Sequence, residues 1–295
     1  MEKLLALSFF ALISLCLTFS SIAQNAPSVP DTLSGWSQSW EVGLTGSQAS
    51  YSNWSQGGVN NIAATGSSDF IAKYRMNRFS YSFQLVTRFG QTRIQDEGVR
   101  KTDDRLAVRN RILYDLSEDD SDFKLFANIN FRTQFAEGFE FGAEADGSDR
   151  LISNFFAPAY FTQNLGLAYV PTDNFSFEGG FGLQQTIVSD SAVRQNNRYG
   201  VPEGDNIRNE AGLTLAAAYS MRLGTNLSWS TSLESFTNLN KAVSSTDVYF
   251  LNQITGRINR FMNASLRFDI VFDDDFSKEV QVAQILSVGV SFILI

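Results

Sequence analysis

The chain has 295 residues, a net charge of −8 at pH 7, no histidine and one cysteine; its pI is near 4.7. The acidic balance argues against nucleic acid as a partner, because phosphate is gripped by Lys and Arg. With no histidine, and with Cys16 in a segment expected to be removed, the usual proton shuttles, thiol dyads and zinc ligands are missing. The chain is therefore not expected to be an enzyme of the common kinds, and no metal or cofactor is expected.

Residues 1–23 begin with Lys3, continue through an apolar run from Leu4 to Phe19, and end at Ser21-Ile22-Ala23. A charged start, a short apolar core and a small-residue cleavage site form the pattern of a secretory signal peptide. The run is shorter than the roughly 20 residues of a spanning helix. Cys16 leaves with the signal, so the mature chain has no disulfide to stabilise it. Residues 24–39, which hold Pro27 and Pro30, are expected to be a periplasmic N-terminal linker, and 40–295 a single domain.

From Trp40 onward the sequence alternates. Phe79, Tyr81, Phe83, Leu85 and Phe89 share one parity; Ser80, Ser82, Gln84 and Arg88 share the other. In 123–135, Phe123, Leu125, Ile129, Phe131 and Phe135 oppose Lys124, Asn128, Asn130, Arg132 and Gln134. A strand sends such sets to opposite faces. The rhythm predicts twelve strands at 40–54, 61–76, 79–91, 104–116, 123–135, 158–170, 175–186, 208–221, 226–236, 247–259, 261–272 and 284–295.

Short links are expected at Asn77-Arg78, 117–122, 171–174, 222–225 and Arg260. They alternate with longer ones at 92–103, 136–157, 187–207, 237–246 and 273–283. No proline falls inside a predicted strand, where it would remove a ladder hydrogen bond. Short turns at one end and long loops at the other fit a transmembrane, antiparallel, up-and-down β-barrel of the outer membrane. A soluble β-sandwich is the alternative, since alternation alone fits a half-buried sheet. Against it stand the strand lengths and the aromatic residues beside the short turns. Those are Tyr74, Phe79, Tyr81, Tyr114, Phe123, Tyr169, Phe175, Phe177, Tyr219, Trp229 and Phe292, a set suited to the headgroup layer.

The first link contains Asn53-Trp54-x-x-Gly57-Gly58-x-Asn60. Gly57-Gly58 predicts a tight turn, because glycine takes positive φ without steric cost. A phosphate-binding glycine loop would need a helix after it, and an alternating strand follows instead. This element resembles a Bacteroidetes outer-membrane family, the domain of unknown function numbered three-zero-seven-eight, and the resemblance extends over most of 36–295. It implies an outer-membrane barrel and supplies no activity or catalytic residues. The ending Phe292-Ile-Leu-Ile295 departs from the terminal aromatic common in such barrels. The implied partners are outer-membrane lipid and the barrel assembly machinery.

Two acidic runs, Glu118-Asp119-Asp120 with Asp122 and Asp273-Asp274-Asp275, lack the spaced ligands and glycine of a Ca²⁺ loop and are expected to be solvated turns. Gly179-Gly180-x-Gly182 lies within a strand, where small residues give close packing or lumen room. On the inward parity the second to fifth strands carry Lys73, Arg75, Arg88, Arg109, Arg111, Lys124 and Arg132, while later strands carry Glu178, Glu210, Glu234 and Asp269. In a ring of twelve, a basic and an acidic arc would face each other across the lumen. Three readings follow. The first is a passive channel or uptake barrel for small polar or charged solutes. The second is a closed structural or surface-binding barrel with a salt-bridged lumen. The third is a membrane enzyme working with carboxylates alone.

Overall fold

The computed structural model describes residues 27–49, 60–95, 98–118, 122–195, 199–273 and 277–295. The signal-peptide reading of 1–23 and the motif residues Asn53, Trp54, Gly57 and Gly58 lie outside them, as do parts of both acidic runs (119–121 and 274–276). The described strands are β1 Gly35–Ala49, β2 Asn61–Met76, β3 Phe79–Ile94, β4 Gly98–Asp115, β5 Phe123–Thr133, β6 Gly138–Glu140 and β7 Arg150–Ser153. They continue with β8 Ala159–Thr172, β9 Phe175–Ile187, β10 Ile207–Arg222, β11 Leu227–Asn238, β12 Asp247–Arg257, β13 Met262–Asp273 and β14 Ser277–Ile293. Twelve of these close into one barrel, each antiparallel to its neighbours, with β14 returning to β1. β6 and β7 form a separate two-stranded sheet inside the β5–β8 connection.

The predicted alternation holds in three dimensions. Leu165, Phe181 and Leu213 are in register on β8, β9 and β10 and point outward with 63%, 69% and 45% of their surface exposed. The intervening Asn164, Gly182 and Gly212 face the lumen in the same register. An apolar exterior that runs round a closed ring far exceeds the patches tolerated in water and is stable only against hydrocarbon. The barrel therefore spans a membrane by its strands.

At the short-turn end the aromatic residues pair. Trp36 meets Tyr74 at 4.9 Å, Phe123 meets Tyr169 at 5.0 Å, Tyr219 meets Trp229 at 5.9 Å and Phe261 meets Phe292 at 5.2 Å between ring centroids. Arg78 and Arg260 lie over Tyr114 and Phe261 at 4.8 and 4.5 Å. Rings with an apolar body and a polar edge suit the boundary between acyl chains and headgroups. The tightest of these turns, Asn77-Arg78, has Asn77 at φ 50°; asparagine is among the few non-glycine residues that accept that conformation.

Several boundaries differ from the sequence reading. β1 starts at Gly35, so 35–39 belong to the barrel and not to a linker; Gly35 to Ser39 pair with Arg75 to Ile71 of β2. The expected long loops at 92–103 and 273–283 are mostly strand, because β3–β4 and β13–β14 are hairpins whose arms reach Ile94/Gly98 and Asp273/Ser277. Pro171, expected in a link, lies in β8 at a register shift between Tyr169 and Thr172. A bulge asks no ladder hydrogen bond of it. Three long connections remain at one end of the barrel: 134–158, 188–206 and 239–246.

Gly166 and Gly180 pair directly between β8 and β9. A Cβ on Gly180 would lie 2.2 Å from the Leu165 carbonyl oxygen, whereas one on Gly66 would meet nothing within 4 Å. Here glycine is a requirement of backbone approach. Gly180→Val is expected to cost about 1–3 kcal/mol or more through overpacking. It should lose the heat-dependent shift in gel mobility that marks a folded barrel, while Gly66→Ala keeps it.

Candidate functional site in the barrel lumen

The pleat sends alternate side chains inward, and charged groups crowd there in three tiers. At the short-turn mouth Asp115, at the end of β4, accepts from Arg75 of β2 at 2.9 Å and from Lys124 of β5 at 2.6 Å. Asp31, before β1, joins both cations, at 2.8 Å from Arg75 and 3.6 Å from Lys124. Lys124 is 2% exposed, a burial sustained only by paired charge. Residues 27–31 thus enter the mouth of the lumen, with Val29 buried. They do not hang below the barrel as a linker would.

In the middle tier the Arg111 guanidinium of β4 makes a short ion pair with Glu178 of β9, and the Asn128 amide donates to the same carboxylate at 3.0 Å. Arg109 donates to the Gln84 carbonyl at 2.9 Å, and the Gln84 amide donates to Asp69 at 2.9 Å. Glu234 of β11 faces inward opposite Ala216 and Tyr249, with one carboxylate oxygen buried and without a hydrogen-bond partner among the described residues. Asp269 is held by Arg267 of its own strand at 2.6 Å.

In the tier beneath the long loops, Arg88 pairs with Asp103 at 3.0 Å. Glu210 receives Arg208 at 3.2 Å, Lys241 at 3.3 Å and the Asn238 amide at 2.7 Å. The Arg132 guanidinium stacks over Tyr160 at 4.3 Å. Lys101 donates to Asp104, Gln134, the Ala136 carbonyl and Ser153, at 2.7–3.0 Å, and so ties the start and end of the β6–β7 excursion to the rim. Outside the barrel wall, the one-turn helix Ser191–Arg194 starts at Asp190, whose carboxylate accepts from Asn154 and from the Ala192 and Val193 amides. These donors, Asn154 first, hold its carboxyl below the usual carboxylate range.

All seven predicted basic residues and all four predicted acidic ones face inward. They are not two opposed blocks. Among the described residues the Arg111–Glu178 ion pair bridges the two sets, and Arg109 lies close enough to Glu234 to attract it; Lys73 faces inward opposite Ser82. Glu210 pairs with Arg208, and Asp269 with Arg267 through one of its two oxygens, while the basic residues draw on Asp31, Asp69, Asp103 and Asp115. Of the motif, Asn60 is described: its side-chain amide donates to Gln95 at 2.8 Å, joining the first connection to the β3–β4 hairpin. Asp69 and Asp115 carried a usable signal, since both lie on the inward parity of predicted strands. Asp31, in a stretch without alternation, carried none.

Between these tiers lies empty space. A cavity of about 360 Å³ opens at the short-turn mouth, bounded by Asp31, Arg75, Arg111, Lys124, Glu234 and Asp269 among others. A smaller one of about 40 Å³ lies against Asn128, Asn164, Glu178, Gln184 and Glu234. Arg111 borders the first, Glu178 the second and Glu234 both, so the Arg111–Glu178 ion pair lies between the two cavities beside the Glu234 carboxylate.

The family described as "Protein of unknown function (DUF3078)" matches residues 47–139, a shorter stretch than the resemblance over 36–295 expected from the sequence. No curated protein matches. Among solved structures, the translocator domain of the autotransporter NalP from Neisseria meningitidis is similar at 12% identity, with 97% of this chain and 95% of that one covered and a TM-score of 0.40. The COG4313 outer membrane channel from Pseudomonas putida F1 is similar at 10% identity, over 92% and 98%, with a TM-score of 0.42. The NanC porin is similar at 11% identity, over 86% and 98%, with a TM-score of 0.37.

Proposed function

We propose that the protein is an outer-membrane barrel of the porin kind that passes small polar or charged solutes through a narrow lumen. Assembly machinery inserts it, and lipid surrounds its apolar belt. One observation carries this reading: a cavity of about 360 Å³, bordered by Asp31, Arg75, Arg111, Lys124, Glu234 and Asp269 as well as apolar side chains, enters the barrel from the short-turn mouth. A lumen filled by its own side chains would leave no such cavity. The long connections face outward from the cell and the short turns face the periplasm, the usual arrangement of such barrels.

A second reading, the closed structural barrel, is favoured by residues 27–31 in the mouth and by the Asp31 bridges. Bilayer recording separates the two. Purified protein is expected to give discrete conductance steps under a salt gradient. Fixed guanidinium groups concentrate anions between low-dielectric walls, so Arg109→Glu with Arg111→Glu should move the reversal potential towards cations. The shift should shrink as salt rises and the screening length falls. A folded, inserted wild type that never conducts would leave the structural barrel standing.

A further inference from the structure

Several lumen cations make no ion pair among the described residues, and two of them, Arg105 and Arg132, lie in one cluster of arginines. Arg88 and Arg105 face each other directly between β3 and β4. Arg132 of β5 sits opposite Ala107, one inward position from Arg105. Arg267, Arg132 and Arg88 all lie close enough to Arg105 to repel it, against the single nearby carboxylate of Asp103. Among these four arginines, Arg88 is taken by Asp103 and Arg267 by Asp269. Arg105 forms no ion pair among the described residues. Arg132 is more telling: both terminal nitrogens of its guanidinium are buried and without a hydrogen-bond partner, and its face is occupied by Tyr160.

Burying a cation with its donors unmet is unfavourable unless something supplies the acceptor. Ala107, between Arg105 and Arg109 on the inward face, replaces a long side chain with a methyl group. Tyr160 fixes the plane of the Arg132 guanidinium, so its fork is oriented before any ligand arrives. Two guanidinium forks without an ion pair match the oxygens of a carboxylate or a phosphate, which accept pairs of N–H bonds.

We propose that Arg105 and Arg132, with Arg88 beside them, form a binding site for small oxyanions in the long-loop half of the lumen. The site rests on the reading of the lumen as a solute path, since the ligand must enter from a mouth. Solutes bearing a carboxylate or phosphate would pause here, exchanging hydration for guanidinium contacts before moving on.

The test uses the full mature chain, folded in detergent micelles and checked by its heat-dependent gel shift. Inorganic phosphate and, separately, acetate are titrated at constant ionic strength by calorimetry, and the same anions are added to the bilayer recordings. Saturable binding of at least one is expected, and the stronger of the two identifies the preferred oxyanion. Arg105→Gln and Arg132→Gln should each weaken it by about tenfold or more, the usual effect of losing a charge-assisted contact. Arg150→Gln, in the exposed loop pair with Glu144, should leave it unchanged. If either variant fails to fold, the wild type is treated with an arginine-selective dicarbonyl, and phosphate should protect Arg105 and Arg132 but not Arg150. No saturable binding by either anion, or binding indifferent to both substitutions, overturns the site. Conduction without binding discards the site and keeps the channel; binding without conduction keeps the site and discards the channel.

Discussion

Asp115→Leu is expected to destabilise the folded barrel by about 3–5 kcal/mol, the cost of removing one partner from buried ion pairs. Asp115 is 4% exposed and joins two cations that are themselves 8% and 2% exposed, Arg75 and Lys124. Without its carboxylate, Lys124 keeps only Asp31 at 3.6 Å, too long for a good hydrogen bond. Reversible urea unfolding in lipid vesicles gives the value. Adding Lys124→Met to Asp115→Leu should recover a good part of the loss, because an apolar pair of similar volume avoids the uncompensated charge. A single-variant change below about 1 kcal/mol would mean that water enters this tier freely and screens it as it does a surface pair.

The second large effect concerns conduction. Deleting 27–33 from the mature chain should raise single-channel conductance several-fold, because these residues occupy the mouth of the cavity and are anchored there by Asp31. Asp31→Ala should produce a smaller rise with more frequent transitions, since Val29 stays buried while the ionic anchor is gone. Equal conductance in the deleted and intact proteins would place the limiting constriction at Arg111–Glu178 instead. Glu178→Gln would then be the variant that changes the current.

The barrel was legible because two solvents write on each strand. Hydrocarbon outside and polar lumen inside force a period of two, and that period located the strand centres. It failed where both faces meet water. Residues 98–103, Gly-Val-Arg-Lys-Thr-Asp, carry charge or polarity on both parities and read as a loop, yet they extend the β3–β4 hairpin. In β14 the alternating Val280 and Val282 were a usable signal, hidden by the acidic run just before them. Parity also named the inward charges correctly. It could not pair them, because partners such as Arg111 and Glu178 are set by strand stagger and side-chain reach, which composition does not encode. Lys101 was missed for the first reason and Asp31 for want of any period at all, whereas Arg105, on the inward parity of the strand predicted at 104–116, carried a usable signal.

The ring closes between its first and last strands. Five register pairs, Glu41–Ile293 to Thr45–Gly289, join β1 to β14 among the described residues, against fifteen between β1 and β2. Two backbone bonds between Trp40 and Leu294/Ile295 lengthen that seam slightly. Every other strand pair in the ring can zip to a partner close by in sequence, but this one must bring together residues most of the chain apart, with the loop entropy that entails. Closure of this seam is expected to come last in assembly, since until the final strand arrives the sheet has two unpaired edges. With so few register pairs, the seam is also the joint where strand pairing is thinnest.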